Sequence, residues 1–170
     1  MANQERDEEK ADCQVALVVS TFNEVVTSRL LAAAESTLTQ LGTPPEHRQV
    51  IRVPGAFEIP LIAKTLAQSH RFDAIICLGA VIRGETPHFE YICTETSRGI
   101  GQASLETGIP IIFGVLTTDT VDQAMERSGP PERNKGADAA RTALEMAVLM
   151  KRLSKSSIRQ SGFLRESATS

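Results

Sequence analysis

The chain has no tryptophan, one tyrosine and only 4% aromatic residues, so its six phenylalanines carry most of its capacity to stack on a flat ligand. Its three cysteines, Cys13, Cys77 and Cys93, form no C-x-x-C pair. An odd count without such a pair argues against a disulfide frame or a thiolate zinc site. His47, His70 and His88 fall on separate segments, so no metal cluster is expected. No apolar run approaches the ~20 residues that span a bilayer. The formal net charge is −3 and no basic stripe occurs, which speaks against nucleic acid as a partner. The sequences G-x-G-x-x-G, Walker A and G-x-S-x-G are all missing. Met1 to Asp12 is charged and mixed in sign, unlike a secretory signal or a transit peptide, so the cytoplasm is the expected compartment.

What the chain does have is strand–helix alternation. At 170 residues and 41% hydrophobic content it fits one domain with a full core. Val15 to Ser20 reads as a strand buried on both faces. Thr21-x-x-Glu24 offers a capping box, with Asn23 as an alternative N-cap. Val26, Leu30, Ala34, Leu38 and Leu41 then recur at helical spacing. Further strands are expected at Val50–Val53, Ala74–Val81 and Ile109–Leu116, with helices at Glu58–Gln68, Phe89–Glu106, Thr118–Arg127 and Gly136–Leu153. The pattern predicts an α/β domain over residues 13–153 with a mostly parallel four-stranded sheet between helices. It is flanked by a charged arm (1–12) and a polar, disordered tail (154–170). The alanine-rich last helix suits self-association.

In such folds ligands bind at the carboxyl ends of the strands, and here each end is distinctive. Phe22 follows the first strand, either as a lid over the core or as a platform for a heterocycle. Ala56, Phe57 and Glu58 follow the second. Glu58 suits a helix N-terminus, and equally suits hydroxyls of a ligand. Ala80-Val81-Ile82 leads the third strand into Gly84-Glu85-Thr86-Pro87-His88, a loop ahead of a helix that can hold phosphate. His88 can cap, pair with Glu90, or move protons near neutral pH. Phe113 reads as core by pattern. Thr117 to Thr120 most simply cap the next helix. Arg127 and Lys135 are either phosphate ligands or ordinary solvated charge. Cys77 reads as core, and Cys93 as packing before any thiol chemistry.

Taken in order, these strand-end segments resemble the 6,7-dimethyl-8-ribityllumazine synthase family from about Val15 to Leu153. The match rests on Phe22-Asn23, Pro54-Gly55-Ala56-Phe57-Glu58-Ile59-Pro60, Gly79 through Tyr91, Phe113 through Thr120, and Asn134-Lys135-Gly136. The resemblance implies a flavodoxin-like three-layer fold. It also implies condensation of 5-amino-6-(D-ribitylamino)uracil with 3,4-dihydroxy-2-butanone 4-phosphate, without cofactor or metal. It further implies Phe22 stacked on the pyrimidine, and Ala56, Phe57 and Glu58 on the ribityl side. Ala80, Val81 and Ile82 would line the ring pocket, and Glu85 and Thr86 would lie at the phosphate. His88 would transfer protons, Arg127 would bind phosphate, and Phe113 would be a wall from a neighbouring subunit. A homopentamer, an icosahedral shell and riboflavin synthase as partner belong to the same expectation. The chain departs from the family pattern at Gly129-Pro130-Pro131-Glu132-Arg133. Two competing readings are a flavin-binding module without synthesis and a structural shell protein, which the presence of His88 and Arg127 disfavours.

Overall fold

The computed structural model describes residues 8–130 and 132–166, with side chains described as far as residue 155. The start of the charged arm (1–7), Pro131 of the Pro-Pro turn and the end of the tail (167–170) lie outside the described residues. After a helical turn at 8–11, the elements are β1 (Val15–Ser20), α1 (Glu24–Gln40), β2 (Arg48–Val53), α2 (Ile59–Gln68), β3 (Ala74–Ile82), α3 (His88–Thr107), β4 (Ile111–Thr118), α4 (Val121–Arg127) and α5 (Lys135–Glu166). Short 3-10 turns at Pro45–His47 and Ala56–Glu58 precede β2 and α2.

The four strands are all parallel in the order β2-β1-β3-β4. Every residue of β1 is buried, as its continuous apolar run requires. Because side chains alternate across a strand, Val15, Leu17 and Val19 enter one core with Leu30, Leu38 and Leu144 of α1 and α5. Ala16 and Val18 enter the other, with Ile59, Ala63 and Ile100 of α2 and α3. The expected three-layer, flavodoxin-like arrangement is therefore present. Each fully buried Leu or Ile in these layers contributes about 1.5–3 kcal/mol by leaving water. Among the described residues no helix is long and apolar enough to cross a membrane.

Three local expectations are corrected. The capping box does not form: Thr21 Oγ1 donates to Pro54 O at 3.2 Å, and Asn23 takes the N-cap without a side-chain cap bond. β4 starts at Ile111 rather than Ile109, because Pro110 has no N–H to give the ladder. It runs on to Thr118 because Thr117 and Thr118 pair with Val81 and Ile82. α5 continues past Leu153 to Glu166, so the polar segment from Ser154 begins as helix. Its Lys, Arg and Gln residues are good helix formers.

The Asn134-Lys135-Gly136 segment seats α5. Asn134 is buried; its Nδ2 donates to Ser128 O at 2.8 Å and to Gly129 O at 3.2 Å, and its Oδ1 accepts from Gly136 N at 2.8 Å. At Gly136 an added Cβ would stand 2.0 Å from Leu30 O. Only glycine lets α5 approach α1 this closely.

Candidate functional site

Strand order reverses between β1 and β3: the chain leaves β1 to build β2 on one side, then returns to build β3 on the other. Connections diverge at such a point and leave a crevice at the strands' carboxyl ends. A cavity of about 730 Å³ occupies it, within the usual range for a small-molecule site. Its walls come from three strand ends: Phe22 after β1, Gly55 to Glu58 after β2, and Ala80 to His88 after β3 and into α3.

Local structure fixes each wall. The Thr21 N–H donates to Val53 O at 2.8 Å and the Phe22 N–H to Pro54 O at 3.0 Å, extending the β1–β2 pairing beyond the strands. Asn23 then turns the chain with φ 59°, a left-handed conformation that asparagine tolerates better than most residues. Its Nδ2 donates to Ala80 O at 2.8 Å. The Phe22 ring is left 71% exposed at the mouth of the cavity. This favours a stacking platform over a core lid, since a lid would be covered. Glu58 precedes α2, and a Cβ placed on Gly55 would stand 3.0 Å from Glu58 Oε2. Gly55 thus gives the carboxylate its room. Ala56 and Ala80 are buried in the floor, with Val81 and Ile82 partly exposed beside them.

The loop after β3 is open. Gly84, Glu85, Thr86 and His88 are exposed. The N–H groups of Gly84, Glu85 and Thr86 donate to no other group among the described residues. They stand just ahead of the twenty-residue α3, whose N-cap, Pro87, offers no side-chain bond. Unpaired N–H groups beside a helix N-terminus suit an anion. His88 opens α3 and does not pair with Glu90; Glu90 instead accepts from Arg83 Nη1 at 2.6 Å.

Most of the sequence-derived site residues meet at this cavity: Phe22, Ala56, Phe57, Glu58, Ala80, Val81, Ile82, Thr86 and His88. Glu85 stands in the same loop but outside the lining. Phe113 and Arg127 lie elsewhere. Phe113 is not core, as its pattern suggested, but 44% exposed, because β4 is the outer strand of the sheet. It lines a second cavity of about 460 Å³ with Lys135 and Asp138, which are ion-paired at 2.9 Å. Arg127 ends α4, its Nη1 donating to Gln123 O at 3.1 Å. Thr120 caps that helix as expected, accepting from Gln123 N.

Tyr91 and Ile92 also line the first cavity and were not read from the sequence as site residues. The signal was available: they lie three and four residues after His88, on its face of the helix. Cys77 is fully buried and its thiol is pushed up by burial. Cys93 is partly buried, its thiol raised by burial and then by Glu90, which disfavours the thiolate and supports a packing role.

The sequence model described as 6,7-dimethyl-8-ribityllumazine synthase matches residues 12–151 of the chain. A protein of Syntrophus aciditrophicus (strain SB) carrying that same name is 59% identical over 137 residues, covering 81% of this chain and 89% of the relative.

Proposed function

The chain belongs to the 6,7-dimethyl-8-ribityllumazine synthase family, transferases of riboflavin biosynthesis, and we infer that the strand-end cavity is where it condenses 5-amino-6-(D-ribitylamino)uracil with 3,4-dihydroxy-2-butanone 4-phosphate. The carrying observation is one cavity that joins an exposed aromatic face, a carboxylate and a loop of unpaired N–H groups ending in a histidine.

Each wall then meets one part of the substrates. Phe22 stacks on the pyrimidine, whose flat, polarised ring suits an aromatic face. Ala80, Val81 and Ile82 line the ring pocket. Glu58, with Ala56 and Phe57, receives the ribityl chain, a carboxylate being a natural acceptor for hydroxyls. The loop Gly84 to Thr86, Glu85 included, gives N–H groups to the phosphate of the second substrate.

The pyrimidine amine attacks the ketone, water leaves, and the resulting imine must lose a proton so that phosphate can depart. Departure of phosphate leaves an enol at the neighbouring carbon, which takes up a proton at its methylene end and becomes a ketone. Ring closure of the ribitylamino nitrogen onto this new carbonyl, with loss of a second water, completes the lumazine. His88 stands beside the phosphate loop and relays those protons, a contribution typically of ~10²–10⁴-fold. Arg127 and the loop N–H groups hold the phosphate as its charge grows. Much of the remaining acceleration comes from holding two substrates together.

Phe113 and Arg127 lie outside the cavity of their own chain. They reach a cleft if copies associate so that the β4 edge of one faces the strand ends of the next. The exposed Phe57, Leu61, Tyr91 and Phe113 are apolar surface that such an assembly would cover. A homopentamer, free or built into an icosahedral shell, fits this head-to-tail arrangement. A cytoplasmic location and riboflavin synthase, which consumes the product, complete the reading.

The direct test is incubation of the purified chain with both substrates while lumazine fluorescence is followed. Product formation that requires both substrates is expected. A protein that binds flavin or forms particles without turnover would overturn the reading.

A further inference from the structure

α3 carries His88 at its first position but begins without a side-chain cap. Among the described residues, no hydrogen bond or ion pair holds the side chains of Glu85, Thr86 or His88. The side chain that ties this turn down is Arg83. Its Nη1 donates to Glu90 Oε1 at 2.6 Å, and its Nε donates to Asp119 Oδ1 at 2.7 Å. Its guanidinium carbon stands 4.2 Å from the centre of the Phe89 ring. Its backbone N–H donates to Thr118 O at 2.9 Å. One guanidinium thus grips the two residues that follow His88, and links them to the turn after β4 that leads through Thr120 into α4.

We propose that Arg83 is a positioning residue for the condensation: it sets the first turn of α3, and so aims His88 into the cleft. The proposal rests on the reading of His88 as the proton-transfer group. Arg83 is 43% exposed on its side chain, and exposed ion pairs add little to stability. Its importance is directional. The fork reaches two carboxylates on separate elements, Glu90 in the first turn of α3 and Asp119 in the turn after β4, while its plane stacks on a ring, which a lysine's single ammonium cannot reproduce. The proton relay depends on such placement, since a misplacement of about 1 Å can cost ~10²-fold in rate.

The test is a double-mutant cycle on the full chain. Arg83→Met, Arg83→Lys, His88→Ala and the Arg83→Met/His88→Ala double variant are assayed for lumazine formation, and each is titrated with the pyrimidine. Arg83→Met should lower kcat by about 10- to 100-fold, with pyrimidine Kd held within about 2-fold, and Arg83→Lys should recover less than half of that loss. In the His88→Ala background Arg83→Met should change kcat by less than about 2-fold, because there is no imidazole left to aim. An equal loss in both backgrounds would overturn the proposal, as would full activity in Arg83→Met. If Arg83→Met does not fold, Asp119→Asn and Glu90→Gln carry the same cycle, the first releasing the guanidinium from the turn after β4 and the second from the first turn of α3. Wild-type turnover in His88→Ala alone would remove the underlying reading of His88, a result distinct from any failure of Arg83.

Discussion

Asn23 Nδ2 donates to the Ala80 carbonyl at 2.8 Å, binding the end of β1 to β3 at the mouth of the cavity. Two features make Asn23 hard to replace: this bond, and a φ of 59°. Asn23→Ala should lose about 1 kcal/mol for the bond and a further ~1–2 kcal/mol for placing an ordinary Cβ in the left-handed region. Asn23→Gly should lose mainly the bond. Denaturation at fixed protein concentration will separate the two, and equal losses would show that the backbone conformation contributes nothing.

His88→Ala should slow turnover by ~10²–10⁴-fold while pyrimidine binding stays near wild type. The two are read by single-turnover kinetics and by fluorescence titration. Loss of pyrimidine binding with unchanged single-turnover chemistry would reject the proton-transfer role.

The fold was legible because its two central strands, β1 and β3, are apolar on both faces and the helices packed on them carry an apolar stripe. Ala74 to Val81 and Val26 to Leu41 could hardly be read otherwise. The capping box was misread because Thr21 had a nearer partner in Pro54 O, brought by β1–β2 pairing that no local pattern encodes. Phe113 was misread for a related reason: burial of a strand residue depends on whether another strand or helix lies beyond it, and β4 is the outer strand. The strand-end residues around one cavity were legible from their positions. Arg83 was not singled out, since its partners Glu90 and Asp119 lie on two different elements, the first turn of α3 and the turn after β4.

Gly136→Ala tests the seat of α5. Helix propensity alone favours alanine by about 1 kcal/mol. The added Cβ would stand 2.0 Å from Leu30 O, a contact that must push the two helices apart. Overpacking of this kind costs ~1–3 kcal/mol or more, so the net change should be destabilising. A lower melting temperature is expected. A rise would mean that α1 and α5 separate without loss.

Glu106 links α3 to α2 by accepting from Lys64 Nζ at 2.6 Å. The Lys64 bond, then Gln102, holds its carboxyl below the ordinary value of 4.5. A group depressed in the folded state stabilises above its unfolded pKa and loses that contribution as pH falls through its folded pKa. The wild type should therefore lose stability as pH drops below about 4.5, and Glu106→Gln should flatten that part of the curve. Thermal unfolding followed from pH 6 to pH 3 (about) reads the slope. An unchanged acid slope in the variant would show that this pair does not contribute.

Arg127→Ala should chiefly weaken binding of the butanone phosphate, seen as a raised KM for that substrate with little change in pyrimidine affinity. An unaltered dependence of rate on the phosphate substrate would reject its role. The placement of Arg127 outside the cavity of its own chain allows a stronger experiment. If each cleft takes His88 from one copy and Arg127 from the next, refolding His88→Ala and Arg127→Ala chains together creates some clefts with both residues intact. In a ring with random order and equal mixing, one half times one half gives about a quarter of clefts restored. Specific activity should climb towards that fraction of wild type, although each variant alone is slow. If both residues serve a cleft from the same chain, every cleft in the mixture keeps one lesion and no recovery appears. The mixture therefore decides whether the β4 edge of one copy completes the strand-end cavity of another.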